Sequence, residues 1–125
     1  MRRVQQLDDD GCGLACVAMV TGKTYPSIRR DYPDGVDGTH LRHLRRLLRK
    51  HRAGCGDRMI PLRTRQPSDL PFDAIIKINP RQDGKEWHWV IWDHRRRRIL
   101  DPKNPPYKRL RYVSYVRVRQ PARRG

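Results

Sequence analysis

Between Asp8 and Gly22 the chain reads DDDGCGLACVAMVTG, and this stretch fixes one element of the fold before anything else is decided. Carboxylates, then a run of small apolar residues, then a glycine form the pattern of a helix with a polar start and a left-handed stop. Asp10 is placed to cap the N-terminus, and Gly22 to end the helix after about Thr21. Cys12 then falls in the first turn. A thiol there can be buried filler, half of a disulfide with Cys16, a metal ligand or a nucleophile.

The rest of the chain sets the frame around that helix. Pro26 to Asp31 suits one short helical turn, and DYPDGVDG reads as a loop from its Pro, Gly and Asp content. Thr39 is a candidate N-cap for HLRHLRRLLRKH, where Leu41, Leu44, Leu47 and Leu48 share one face and the other face is basic. Strands are expected over Asp73 to Ile78, Trp87 to Trp92, Arg97 to Leu100 and Tyr112 to Val118. Asn79-Pro80, Asp83-Gly84 and Asp101-Pro102 supply turn signals between them. Helices first and strands later, without βαβ alternation, make the chain α+β, with N-terminal helices packed on an antiparallel sheet.

A length of 125 residues suits one domain with a single core, with the end from about residue 119 to 125 read as a flexible tail. Lys and Arg number 29 against 13 Asp and Glu, a formal charge of +16. That surplus calls for an acidic partner: nucleic acid, a membrane surface, an acidic peptide or an acidic inhibitor protein. No apolar run approaches the roughly 20 residues of a membrane span. MRRVQQLDDD lacks the apolar region of a secretory signal, and three cysteines without framework spacing suit reduced thiols. The expected location is therefore cytoplasmic, or another cell or compartment to which the domain is delivered.

The chemistry of Cys12 separates its roles. Free backbone N–H groups and the helix dipole favour a thiolate in a first turn, whereas nearby aspartates oppose it. Gly11 and Gly13 leave room for a substrate backbone to approach. Cys16, among Leu14, Val17 and Val20, reads as core filler. A CxxxC pair on a regular helix rarely offers relaxed disulfide geometry. Paired metal-binding spacing is lacking, and Cys55 in GCG reads as a loop thiol.

A nucleophilic thiolate needs a cationic partner and a group to orient it. His40, His43 and His51 lie in or beside the basic helix and are most simply solvated, and His94 sits at a turn. His88 differs. If WHWVIW and RRIL form a hairpin with a four-residue loop from Asp93 to Arg96, His88 faces Asp101 directly. Such neighbours have Cβ atoms about 4.5 to 5.5 Å apart. By alternation Trp89 faces away from His88 toward the core, while Trp87 and Trp92 are candidates for a cleft wall.

The blocks QLDDDGCGLACVAMVTG, HWVIW and LDP, in this order and separation, resemble the C39 family of papain-like cysteine peptidases. These are bacterial enzymes that cut leader peptides after a double glycine, and they have stand-alone relatives. The resemblance implies a papain-like fold and cysteine endopeptidase activity, with Cys12 as nucleophile, His88 as general base and acid, and Asp101 orienting the imidazole. It also implies an oxyanion donor at Gln6, with Gln5 as the neighbouring alternative, and the Cys12 N–H as second donor. No cofactor or metal is implied; the substrate is a peptide or protein with small residues at the cleavage site. The charge independently suggests that this substrate or a partner is acidic.

The strongest rival is a basic nucleic-acid-binding module, supported by the charge and by the run Arg95 to Arg98. That run is also the usual composition of a solvated hairpin tip. A C39-like binding or toxin domain with other thiol chemistry is a third class.

Overall fold

The computed structural model describes residues 1–32 and 39–122. Most of the loop expected at DYPDGVDG, from residue 33 to 38, and the last three residues of the tail lie outside them. Among the described residues three α-helices, α1 (Cys12–Thr21), α2 (Tyr25–Arg30) and α3 (Leu41–Lys50), precede six strands. These are β1 (Gly54–Cys55), β2 (Ile60–Pro61), β3 (Ala74–Ile78), β4 (His88–Asp93), β5 (Arg98–Leu100) and β6 (Tyr112–Arg119). All pairings are antiparallel, in the order β1-β6-β3-β4-β5, with β2 also alongside β6. The domain is α+β, as the element order implies. None of its helices is long and apolar enough to cross a membrane.

Every residue of α1 is buried. A helix that is apolar all round can be stable in water only when neighbours cover it on all sides, and α2, α3 and β4 do so. Gly22, at φ 72, stops it in the left-handed conformation that glycine adopts without cost. The start differs from expectation. Gly11, not Asp10, is the N-cap and makes no side-chain bond; its carbonyl accepts from the Ala15 N–H at 3.0 Å. The glycine between Asp10 and Cys12 moves the carboxylate one residue too far out to cap.

The leucine face of α3 closes the helical layer, with Leu44, Leu47 and Leu48 buried. Its N-cap is His40 rather than Thr39, and the His40 N–H donates to His43 Nδ1 at 3.0 Å. Thr39 is buried just outside the helix, its carbonyl accepting from Trp89 Nε1 at 3.0 Å.

The sheet is apolar on both faces. Ile75, Trp89, Ile91, Val116 and Val118 face the helices, whereas Ala74, Ile76, Val90, Trp92 and Tyr115 pack under loop residues Leu62 and Leu70. This double burial explains why AII and WVIW are continuous apolar runs, with Lys77 the half-buried exception in β3. Trp92 belongs to the second layer, with Nε1 3.3 Å from the Leu70 carbonyl, and is not a cleft residue.

The two-residue strands β1 and β2 carry no sequence pattern that could announce them. Cys55, expected in a loop, pairs with Val118 in β1, and Arg119, counted with the tail, pairs with Gly54. Leu48 is fully buried between α1 and the sheet side of the core. Leu48→Ala is expected to lower the unfolding free energy by about 2 to 5 kcal/mol, measured by urea denaturation.

Candidate active site

The site is built where α1 begins, β4 begins and β5 ends. Cys12 is the first residue of α1 and only 8% exposed. In the first turn its N–H has no intrahelical acceptor. His88 opens β4, and Asp101 follows the last residue of β5; each is 7% exposed. His88 Nε2 lies 2.7 Å from Asp101 Oδ1, and the Cys12 side chain is near enough to act on the imidazole by hydrogen bonding and charge. The sequence-predicted thiol, imidazole and carboxylate are thus together.

They meet by a different register from the one expected. The hairpin closes at Asp93↔Arg98, with Trp92↔Ile99 and Ile91↔Leu100, so the four-residue loop is 94–97. Arg97 adopts a positive φ of 53 in that loop. In this ladder the residue opposite His88 would be Lys103, beyond the end of β5. Asp101 is the diagonal neighbour instead. The displacement is two residues, and a shift of two preserves the face that a shift of one would reverse.

Asp101 is held from several sides. Its Oδ1 also accepts from the Lys103 N–H at 2.9 Å, and Oδ2 from the Tyr107 N–H at 3.0 Å. The N-terminal segment straps this turn down: Arg3 Nε donates to the Asp101 carbonyl at 2.8 Å, an Arg3 terminal N–H to the Lys103 carbonyl at 2.9 Å, and the Gln6 N–H to the Pro102 carbonyl at 2.9 Å. Arg3 and Tyr107 had no signal in the sequence. The Tyr107 ring stands edge-on to His88, with centroids 5.0 Å apart.

Protonation follows from these contacts. Burial works against a charged Asp101, but hydrogen bonds from His88 and the two backbone N–H groups outweigh it and hold the carboxyl below its ordinary range. An ionised carboxylate only accepts, so His88 Nε2 carries a proton and Nδ1 is the nitrogen left for Cys12. Burial likewise opposes charge on His88. The hydrogen bonds to Asp101 and Cys12, and attraction to both, raise it to about 9. The imidazolium therefore persists at neutral pH beside the sulfur.

Gln6 is not among the residues that line the cleft, and its amide is engaged. Nε2 donates to the carbonyls of Asp8 and Asp9, each at 3.0 Å, bracing the turn before α1, while Oε1 is buried without a partner. Gln5 is exposed. Asp8 accepts from the Tyr25 hydroxyl at 2.7 Å, with Arg29 Nε 3.6 Å away.

The two glycines do not make space for a substrate, contrary to the reading of GCG. A Cβ at Gly11 would overlap the Tyr25 hydroxyl, and one at Gly13 would overlap the Thr39 hydroxyl. The chain's own side chains fill both places. The open space lies elsewhere, in a cleft of about 340 Å³ over Cys12 and His88, walled by Asp9, Asp10, Thr39, His40, Trp87 and Tyr107 among others. Of the tryptophans, Trp87 is the most open on this wall, while Trp89 is largely core.

The remaining candidates have structural partners. Cys16 is fully buried, which pushes its thiol well up, and burial raises Cys55 to about 11. His51 is not solvated: Nε2 lies 2.8 Å from Asp31 Oδ2. His40 is exposed, as expected, and one side of its ring meets Trp87 with centroids 5.4 Å apart. All three cysteines are free, and among the described residues no three His, Cys, Asp or Glu side chains converge as a metal site.

Compared with known proteins, the chain matches no family model and no curated protein.

Two outcomes follow from this geometry. His88, followed by NMR, should titrate near pH 9, and Asp101→Asn should bring it down toward the ordinary value. Because the folded value is the raised one, the stability contributed by protonated His88 is fully present below about pH 6.5 and lost as pH rises through about 9. Gly11→Ala should cost about 1 to 3 kcal/mol in urea unfolding, part of it recovered by adding Tyr25→Phe.

Proposed function

We propose that this chain is a papain-like cysteine peptidase of C39 type that cleaves a peptide bond next to small residues. The observation that carries the reading is the single imidazole of His88, shared between the Asp101 carboxylate and the Cys12 side chain at the start of a buried helix. Core cysteines do not need an oriented, charged imidazole. Nucleophilic cysteines do.

In this reading the Cys12 sulfur attacks the peptide carbonyl from the cleft, and the carbonyl electrons move onto oxygen. His88, protonated at Nδ1, gives that proton to the leaving amine as the thioester forms. It then takes a proton from water as the hydroxyl attacks the thioester, and the sulfur leaves. Asp101 keeps the proton on Nε2 and so keeps Nδ1 aimed at sulfur and substrate. The Cys12 N–H, unspent at the helix start, serves the oxyanion. Gln6 becomes the second donor by exchanging one of its two carbonyl contacts for the oxyanion.

The test is iodoacetamide labelling of each cysteine at pH 6, read by peptide mass spectrometry, in the parent protein and in His88→Ala. Cys12 should label at least tenfold faster than Cys55, Cys16 should remain inert while the protein is folded, and His88→Ala should remove the advantage. Equal labelling of Cys12 and Cys55, or indifference to His88, overturns the peptidase reading.

A further inference from the structure

Part of the charge surplus lies on the helix that borders the cleft. On α3, Arg42, Arg46 and Arg49 are exposed and recur at helical spacing opposite the buried leucines, forming one stripe along a helix about 15 Å long. None of the three meets a carboxylate among the described residues, and their one side-chain hydrogen bond there is that of Arg42 Nε to His43 Nε2 at 3.4 Å. Elsewhere among the described residues three arginines meet carboxylates: Arg29 at Asp8, Arg81 at Glu86 and Arg98 at Asp93. The neighbouring Lys50 is paired with Asp31.

Arg49, in the last turn, suits the helix dipole, but the N-terminal part of the stripe works against it. The first turn of α3 holds no acidic residue, and a cation at a helix N-terminus opposes the dipole, as Arg42 and Arg46 oppose each other at i, i+4. The field reaches inward. His43 is lowered by burial and, after that, by Arg42, His40 and Arg46. The stripe also begins at the cleft, because His40, the N-cap of α3, is part of the cleft wall and packs on Trp87.

We propose that the arginine stripe of α3 is a docking surface for an acidic segment of the polypeptide whose other end enters the cleft over Cys12. The proposal rests on the peptidase reading for the identity of the cleft, and on charge complementarity for the occupant. Six extended residues span about 20 Å, enough to follow the stripe, and alternate side chains on one face recur at about 6.6 Å, close to the spacing of one helical turn. A nucleic acid would meet the same arginines, but on the cleft wall, where Arg81 and Lys85 stand among Asp9, Asp10 and Glu86, its continuous phosphate charge would meet those carboxylates. A peptide acidic only in its distal part avoids them.

The experiment uses fluorescein-labelled (Glu)6(Gly)4 and (Gly)4(Glu)6 peptides with the full chain carrying Cys12→Ala, read by fluorescence anisotropy at 50 mM salt. Gln matches Arg in helix propensity, so Arg42→Gln/Arg46→Gln/Arg49→Gln preserves α3. That triple variant should weaken binding of at least one peptide tenfold or more. A control of equal charge, Arg58→Gln/Arg95→Gln/Arg96→Gln, should stay within twofold of the parent. With Cys12 intact, the bound peptide should slow iodoacetamide labelling of Cys12 at least threefold, and this protection should vanish in the α3 variant.

Equal loss in both triples, no loss in either, or binding without protection of Cys12 overturns the proposal. So does tighter binding of a ten-nucleotide oligo-dT through the same arginines. Binding is measured without the thiol, so failure of the peptidase chemistry shows itself separately, in unselective labelling of Cys12.

Discussion

The structure depends on the burial of α1. A ten-residue helix without a polar face must be enclosed, and enclosing it decides where α2, α3 and the helix-facing side of β4 lie. Its small residues allow that closeness; at Gly11 and Gly13 the chain comes so near that Tyr25 and Thr39 occupy the volume of a side chain. Only the N-terminal end reaches a cleft. The same constraint that hides Cys16 therefore puts Cys12 at the boundary, where the helix's unspent N–H groups also collect.

Much of this architecture was legible because it rests on local patterns. The long strands and all three helices follow from periodicity, turn residues and the glycine stop. What could not be read is what depends on non-local packing. β1 and β2 are two residues each, and their existence is decided by β6 rather than by Gly54, Cys55, Ile60 or Pro61 themselves. His40 displaces Thr39 as N-cap because Thr39 is drawn into the core over Gly13.

The candidate site was legible in its residues and not in its geometry. Cys12, His88 and Asp101 follow from a first turn, a strand and a strand end. Their meeting tolerated a misplaced hairpin loop because a two-residue displacement keeps side chains on the same face. The glycines show the opposite case: small residues beside a thiol were read as room for a ligand, yet that room was already taken. A sequence records that a side chain is missing, and tertiary structure alone says what fills the gap.

The strap formed by Arg3 and Gln6 gives the site a temporal property. Arg3 and the Asp101 carbonyl are 98 positions apart in the chain, and Cys12 and His88 come from opposite halves of it. Such contacts form only after the entropy of closing a very long loop has been overcome. A partly synthesised or partly folded chain can carry the thiol without its imidazole and carboxylate. The meeting of thiol, imidazole and carboxylate is thus coupled to completion of the fold, and in chains that have not finished folding Cys12 lacks both partners.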